Sequence, residues 1–137
     1  PIAEDLARQY GIESDVRFLG KQEQMEDILA VSDLFLLPSE YESFGLVALE
    51  AMASSVAVIS SNAGGLGEIN IDGKTGYTAN VGDVDTMSKR AIELLKDDAQ
   101  LKAFKHNALE QAKLFDIHHI IPIYENLYRR FCRTGDC

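Results

Sequence analysis

The feature that most constrains this chain is a unit of short apolar run, polar loop, helical stretch and second apolar run. Leu34-Phe35-Leu36-Leu37 is closed by Pro38, and Val56-Ala57-Val58-Ile59 follows about twenty residues later. Both runs have the length and side chains of buried strands. Between them, residues 44–54 are apolar almost all the way round, so a helix there is expected to be largely buried. Strands that are apolar throughout and joined through a helix pair in parallel, and helices cover both faces of their sheet. Connections this short allow only right-handed crossovers.

The rest of the chain continues the alternation. Residues 2–10 read as a helix ended by Gly11, and Val16 to Leu19 as a strand closed by Gly20. Met25, Ile28, Leu29 and Val31 give helical spacing over 23–32. After the third strand, 56–59, come the loop Asn62-Ala63-Gly64-Gly65 and a short helix from Gly67 to Ile71. The turn Asp72-Gly73-Lys74-Thr75-Gly76 leads to an edge strand, Tyr77 to Val81. Beyond Gly82 the pattern is helical: 85–96, with Asp83 as its cap, then 98–113 and 117–132. The expected fold class is α/β, a doubly wound parallel Rossmann-like sheet followed by C-terminal helices.

Size and charge narrow the function. A chain of 137 residues is one domain's worth. Its net charge of −9 opposes binding to nucleic acid or to an anionic membrane surface. No apolar run approaches the roughly 18–20 residues of a membrane-spanning helix. Cys132 and Cys137 cannot make a disulfide framework, so a reducing, cytoplasmic setting is expected. No signal peptide is expected, and the sequence opens on Pro1-Ile2-Ala3-Glu4-Asp5-Leu6, which has the look of helix interior. A single partial domain over 1–137 is therefore expected, cut from a longer protein.

In doubly wound sheets ligands bind off the carboxyl ends of the strands. Three loops are expected there: Gly20-Lys21-Gln22, Ser39 to Ser43, and Ser60 to Gly65. With Ser43 as N-cap, the amides of Phe44, Gly45, Leu46 and Val47 would be unpaired donors able to hold a diphosphate. Gly45 would let a ligand approach the backbone. Glu42 stands just before this turn and Glu50 one to two turns into the helix, where a carboxylate among apolar residues is costly unless paired. Vicinal hydroxyls of a nucleotide sugar could pair with it; so could a structural Arg or a backbone amide, with Glu42 then a solvated loop residue. Gly64, Gly65 and Glu68 could contact a phosphate or sugar, or simply form a turn. The Lys21 loop could meet a base, or be plain surface. His106, His118 and His119 lack metal-ligand spacing.

Glu42 and Glu50, within Ser39-Glu40-Tyr41-Glu42-Ser43-Phe44-Gly45-Leu46-Val47-Ala48-Leu49-Glu50-Ala51-Met52-Ala53, resemble the signature of retaining nucleotide-sugar glycosyltransferases of GT-B architecture, the glycosyl transferases group 1 type. Val16-Arg17-Phe18-Leu19-Gly20, Ala30-Val31-Ser32-Asp33-Leu34, Gly64-Gly65-Leu66-Gly67-Glu68-Ile69 and Asp72-Gly73-Lys74-Thr75-Gly76-Tyr77 agree. Within that family, Phe18 to Gln22 and Ser39 to Gly45 look most like the N-acetylglucosaminyl-L-malate synthases of bacillithiol biosynthesis.

The resemblance implies the donor-binding half of a bacterial transferase, with a UDP-sugar as substrate and neither cofactor nor metal. Glu42 would be the catalytic-site residue that bonds hydroxyls of the transferred sugar, and Glu50 would hold the ribose. Amides of Phe44, Gly45, Leu46 and Val47 would bind sugar and diphosphate, and Gly20, Lys21 and Gln22 the uracil. The acceptor would bind an N-terminal domain upstream of this chain, together with the first strands and the cationic diphosphate clamp. The chain alone would then be inactive, and its uncovered edge would invite self-association.

Two departures stand out. Ser54-Ser55-Val56-Ala57 replaces the family's Cys-Gly-x-Pro, and Gly67 stands where the family has Pro. A phosphorylase or nucleotide-sugar epimerase of the same architecture is the alternative enzyme. A non-catalytic α/β interaction module, such as a receiver domain, is the alternative outside enzymes. It would need acidic residues at strand ends, and Asp33 opens its strand at the wrong end.

Overall fold

The structure, a computed structural model, describes residues 1–42 and 44–115. Six α-helices, one 3-10 turn and three strands follow one another among these residues: α1 (Ile2–Gln9), the 3-10 turn Glu13–Asp15, α2 (Met25–Ala30), β1 (Leu34–Leu37), α3 (Leu46–Ala53), β2 (Ala57–Ser61), α4 (Leu66–Ile69), β3 (Gly76–Ala79), α5 (Val84–Lys96) and α6 (Asp98–Leu114). The sheet has the order β1-β2-β3 and is parallel throughout, with Phe35 opposite Val58 and Ile59 opposite Tyr77.

β2 is the axis of the core and is buried at all five positions. Successive side chains of a strand point to opposite faces, and here they feed two apolar clusters. Val58 joins Ala48, Leu49, Met52, Leu66 and Ile69 on the side of α3 and α4. Ala57 and Ile59 join Met87, Ala91 and Leu94 of α5. α6 serves both, giving Leu101 and Phe104 to the second cluster and Ala108 and Ala112 to the first. β3 is held to the helices by Tyr77, whose ring lies 5.3 Å from that of Phe104 and 4.7 Å beneath the Arg90 guanidinium.

Asp83 caps α5 as expected, accepting the Thr86 amide at 3.1 Å and the Thr86 hydroxyl at 2.7 Å. The hydroxyl first and the amide second hold its pKa below the ordinary carboxylate value. α3 ends in a Schellman arrangement: the Ser55 amide donates to Met52 and the Val56 amide to Ala51, both at 3.0 Å. That motif needs a left-handed residue, and Ser55 supplies it at φ 60°, the one non-glycine with positive φ among the described residues. The family's glycine at this place has a physical reason, since an L side chain in this region costs about 1–2 kcal/mol. Ser55→Gly is therefore expected to stabilise the chain by about 1 kcal/mol, read as a higher urea midpoint at unchanged slope. Gly67, the second departure, lies in the first turn of α4, where a Cβ would meet nothing within 4 Å. A proline is compatible with such a place.

The segment 16–19 is not a strand. Phe18 and Leu19 stay 53% and 54% exposed. An apolar run becomes a strand only beside a partner that satisfies its backbone, and no strand neighbours this one among the described residues. β1 is likewise an edge, and Leu36 is 55% exposed on it. Ile2 and Leu6 on α1 and Tyr10 at its C-cap make an exposed stripe at helical spacing. The expected helix over 117–132 lies outside the described residues.

Candidate functional site

The loops after β1 and β2 meet at the carboxyl end of the sheet. Ser61, buried at the end of β2, donates its hydroxyl to the Ser39 carbonyl in the loop after β1. Gly64 lies so close to Glu42 that a Cβ there would overlap the Glu42 carbonyl oxygen. The third predicted loop behaves differently. Gly20, Lys21 and Gln22 are exposed and follow no strand, and the Gln22 amide donates locally to the Leu19 carbonyl at 2.6 Å.

Glu42 is half-buried and both its carboxylate oxygens are engaged. Oε1 accepts the Gly45 amide at 3.3 Å, and Oε2 accepts the Ser39 hydroxyl at 3.4 Å. Glu42 is thus placed by the turn rather than loose in solvent. Ser43, expected as the N-cap, lies outside the described residues, and Gly45 takes the cap position at φ 72°. α3 accordingly starts at Leu46. Its first backbone bond runs from the Leu49 amide to the Gly45 carbonyl, at 3.0 Å. The amides of Leu46, Val47 and Ala48 have no acceptor among the described residues. Ala48 was missing from the expected donors, and two expected ones fall away. Gly45 is committed to Glu42, and Phe44 precedes the helix.

Gly45 also has another reason to be glycine than close approach by a ligand. It is buried, and a Cβ would stand 3.0 Å from side-chain atoms of both Leu66 and Ile69. The residue is small because α4 packs against the start of α3.

Glu50 corrects the expectation of a costly buried charge. It is exposed, on the same face of α3 as Val47, which is 42% exposed. Ala48, Leu49, Ala51 and Met52 turn the other way into the core. No hydrogen bond or ion pair engages the Glu50 carboxylate among the described residues, so a structural Arg or amide partner is ruled out there. Helical side chains lean toward the N-terminus. Glu50 lies one turn beyond Leu46, so such a lean is toward the uncommitted amides. Glu68 is exposed on α4, and Gly65 is the cap residue of that short helix.

Behind the site lies a polar network that the sequence did not announce. Asn70, fully buried, donates from Nδ2 to the Val58 carbonyl at 3.0 Å, the Ser60 hydroxyl at 2.9 Å and the Tyr77 carbonyl at 3.1 Å. Its Oδ1 accepts the Thr75 hydroxyl at 2.7 Å, and that hydroxyl accepts the Ile71 amide at 2.8 Å. α4 is thereby fastened to β2 and β3. An asparagine ahead of a turn is ordinary in sequence, and only the tertiary contacts reveal this one.

An uncommitted helix start at the end of a parallel strand, with one carboxylate fixed at the turn and another on the open helix face, suits a ligand carrying both phosphate and hydroxyls. The chain belongs to the glycosyl transferases group 1 family, whose model matches residues 3–111. It is 44% identical over 124 residues to the N-acetyl-alpha-D-glucosaminyl L-malate synthase of Bacillus anthracis, covering 90% of this chain and 32% of that protein. It is 36% identical over 133 residues to the D-inositol 3-phosphate glycosyltransferase of Corynebacterium kroppenstedtii, covering 93% of this chain and 30% of the relative. Among solved structures, HepE of Anabaena in complex with UDP superposes with a TM-score of 0.81 at 27% identity, over 93% of this chain and 36% of that one. The same protein is also known with UDP-glucose. The fold is that of GT-B glycosyltransferases, and the chain spans about a third of the length of the curated relatives it matches.

Proposed function

We propose that this chain is the donor-binding part of a retaining glycosyltransferase that takes a UDP-sugar and transfers a hexose or N-acetylhexosamine. The observation that carries this is the head of α3. Among the described residues, the amides of Leu46, Val47 and Ala48 lack acceptors and Glu50, on the adjoining face, has no partner. The diphosphate takes the amides, the ribose takes Glu50, and the sugar lies toward Glu42. Lys21 and its neighbours take the uracil. UDP and UDP-glucose in HepE support a uridine donor, and the malate synthase relative favours N-acetylglucosamine.

In the transfer, the acceptor oxygen forms a bond to the anomeric carbon as the bond from that carbon to the diphosphate breaks. Attack comes from the face the UDP leaves. The acceptor proton passes to the departing phosphate oxygen. Helix amides, together with basic side chains from the longer protein, stabilise the charge developing on the diphosphate in place of a metal ion. The acceptor binds a separate N-terminal domain, so the chain by itself does not turn over. Its β1 edge and α1 stripe are then faces covered in the longer protein, and alone they drive self-association. No helix among the described residues is long and apolar enough to cross a membrane; we place the enzyme in the cytoplasm.

In the whole enzyme, Glu42→Ala is expected to lower kcat about a hundredfold or more and to raise KM for the nucleotide sugar about tenfold, since the contact to the sugar hydroxyls is lost in the bound state too. Steady-state kinetics with UDP-N-acetylglucosamine check this. Full turnover by the variant would remove Glu42 from the site.

A further inference from the structure

We infer that Ser39, Ser61 and Gly64 form a positioning group whose task is to aim the Glu42 carboxylate. This rests on the proposed role of Glu42 as acceptor for the hydroxyls of the donor sugar. The two carboxylate oxygens are held by different parts of the turn, Oε1 by the Gly45 amide at 3.3 Å and Oε2 by the Ser39 hydroxyl at 3.4 Å. Both are long beside the roughly 2.7–2.9 Å of a strong charge-assisted bond. They orient the group without saturating it, because a carboxylate offers about four acceptor sites and the described residues use two. Each oxygen keeps capacity for a sugar hydroxyl.

The backbone beneath Glu42 is fixed from the neighbouring strand at two points. Ser61, 1% exposed, donates to the Ser39 carbonyl, which sets the residue whose hydroxyl holds Oε2. Gly64, by lacking a Cβ, admits the Glu42 carbonyl itself. The loop after β2 therefore acts on the ligand through Glu42. This gives Gly64 a different part from the direct loop contact expected of it, and brings in Ser39 and Ser61, which the motif does not single out.

The test uses the chain itself. The Glu42 carboxylate, which accepts the Gly45 amide, shifts the backbone amide resonance of Gly45 in NMR spectra, and Glu42→Gln measures the size of that effect. Ser39→Ala is expected to remove most of its amplitude, and Ser39→Thr, which keeps the hydroxyl, to restore it. Gly64→Ala should do the same by displacing the Glu42 carbonyl; Ser61→Ala is the milder variant if that chain does not fold. In calorimetric titrations, Ser39→Ala should weaken UDP-N-acetylglucosamine about tenfold while leaving UDP unchanged. An unaltered Gly45 amide resonance in folded Ser39→Ala would overturn the inference. So would an equal loss for UDP and the sugar nucleotide, which marks a merely structural serine. Absence of any nucleotide binding by the parent chain would count against the proposed function instead, and the Gly45 resonance would still decide the positioning role.

Discussion

Asn70→Ala is expected to cost about 3–4 kcal/mol of folding stability, a large share of what a domain this size possesses. The two Nδ2 hydrogens serve three acceptors, so one of them is shared. Removing the amide leaves the Val58 and Tyr77 carbonyls and the Ser60 and Thr75 hydroxyls short of a partner at a position with no exposure. Each buried group stranded this way costs about 1–3 kcal/mol, and local relaxation or water recovers part of the total. Asn70→Asp should be at least as damaging. It keeps the shape, but sets a charge that cannot donate against three acceptors. Urea denaturation of the two variants checks both the size and the order. An alanine variant within about 1 kcal/mol of the parent would mean that water replaces the amide.

The second large effect is at Leu66. It is fully buried at the start of α4, in the cluster formed with Leu49, Met52 and Val58. It also stands against the backbone of Gly45, at the cap of α3. Leu66→Ala removes buried methyl groups and leaves a cavity, at a cost of about 2–5 kcal/mol. Leu66→Met keeps the volume and should cost less than about 1.5 kcal/mol. Because the cavity would open beneath the turn that carries Glu42, the alanine variant should also speed hydrogen exchange at Gly45 and Leu49, whose amides are bonded there, more than at β3. Uniform acceleration would mean that α4 does not support the turn locally.

Much of this architecture was legible in the sequence. The run Leu34 to Leu37 is a strand over the same four residues, and the helices expected over 85–96 and 98–113 begin or end within one residue of those bounds. These elements carry their own signals: branched and aromatic side chains in the strand, Asp83 and Asp97 as caps of the helices. What failed depended on something beyond the local segment. Val16 to Leu19 has strand composition, but composition reports a preference for burial and not the presence of a neighbour to pair with. Glu50 was misjudged because its flanking residues are apolar. Burial in a helix follows the face, and Glu50 occupies the one that α3 turns outward.

The candidate site was legible in part. Glu42 stands at the turn ahead of the helix, as a carboxylate before an apolar helix can be read from spacing, but the helix starts at Leu46, two residues later than expected. That Glu42 takes the Gly45 amide for itself was not readable, because it depends on the fold of the turn. The roles of Ser39 and Ser61 come from a contact across 22 residues of sequence. Asn70 is similar, reaching Val58 and Ser60 twelve and ten residues back.

The most direct test of the donor-binding account is isothermal titration of UDP into this chain and into Glu50→Ala, with both shown to be folded by circular dichroism. The account predicts weak binding by the parent, at a Kd of about 0.1–1 mM, and at least a tenfold loss in the variant. Binding that survives unchanged in Glu50→Ala, or no binding by the folded parent chain, would contradict the placement of the nucleotide at the head of α3.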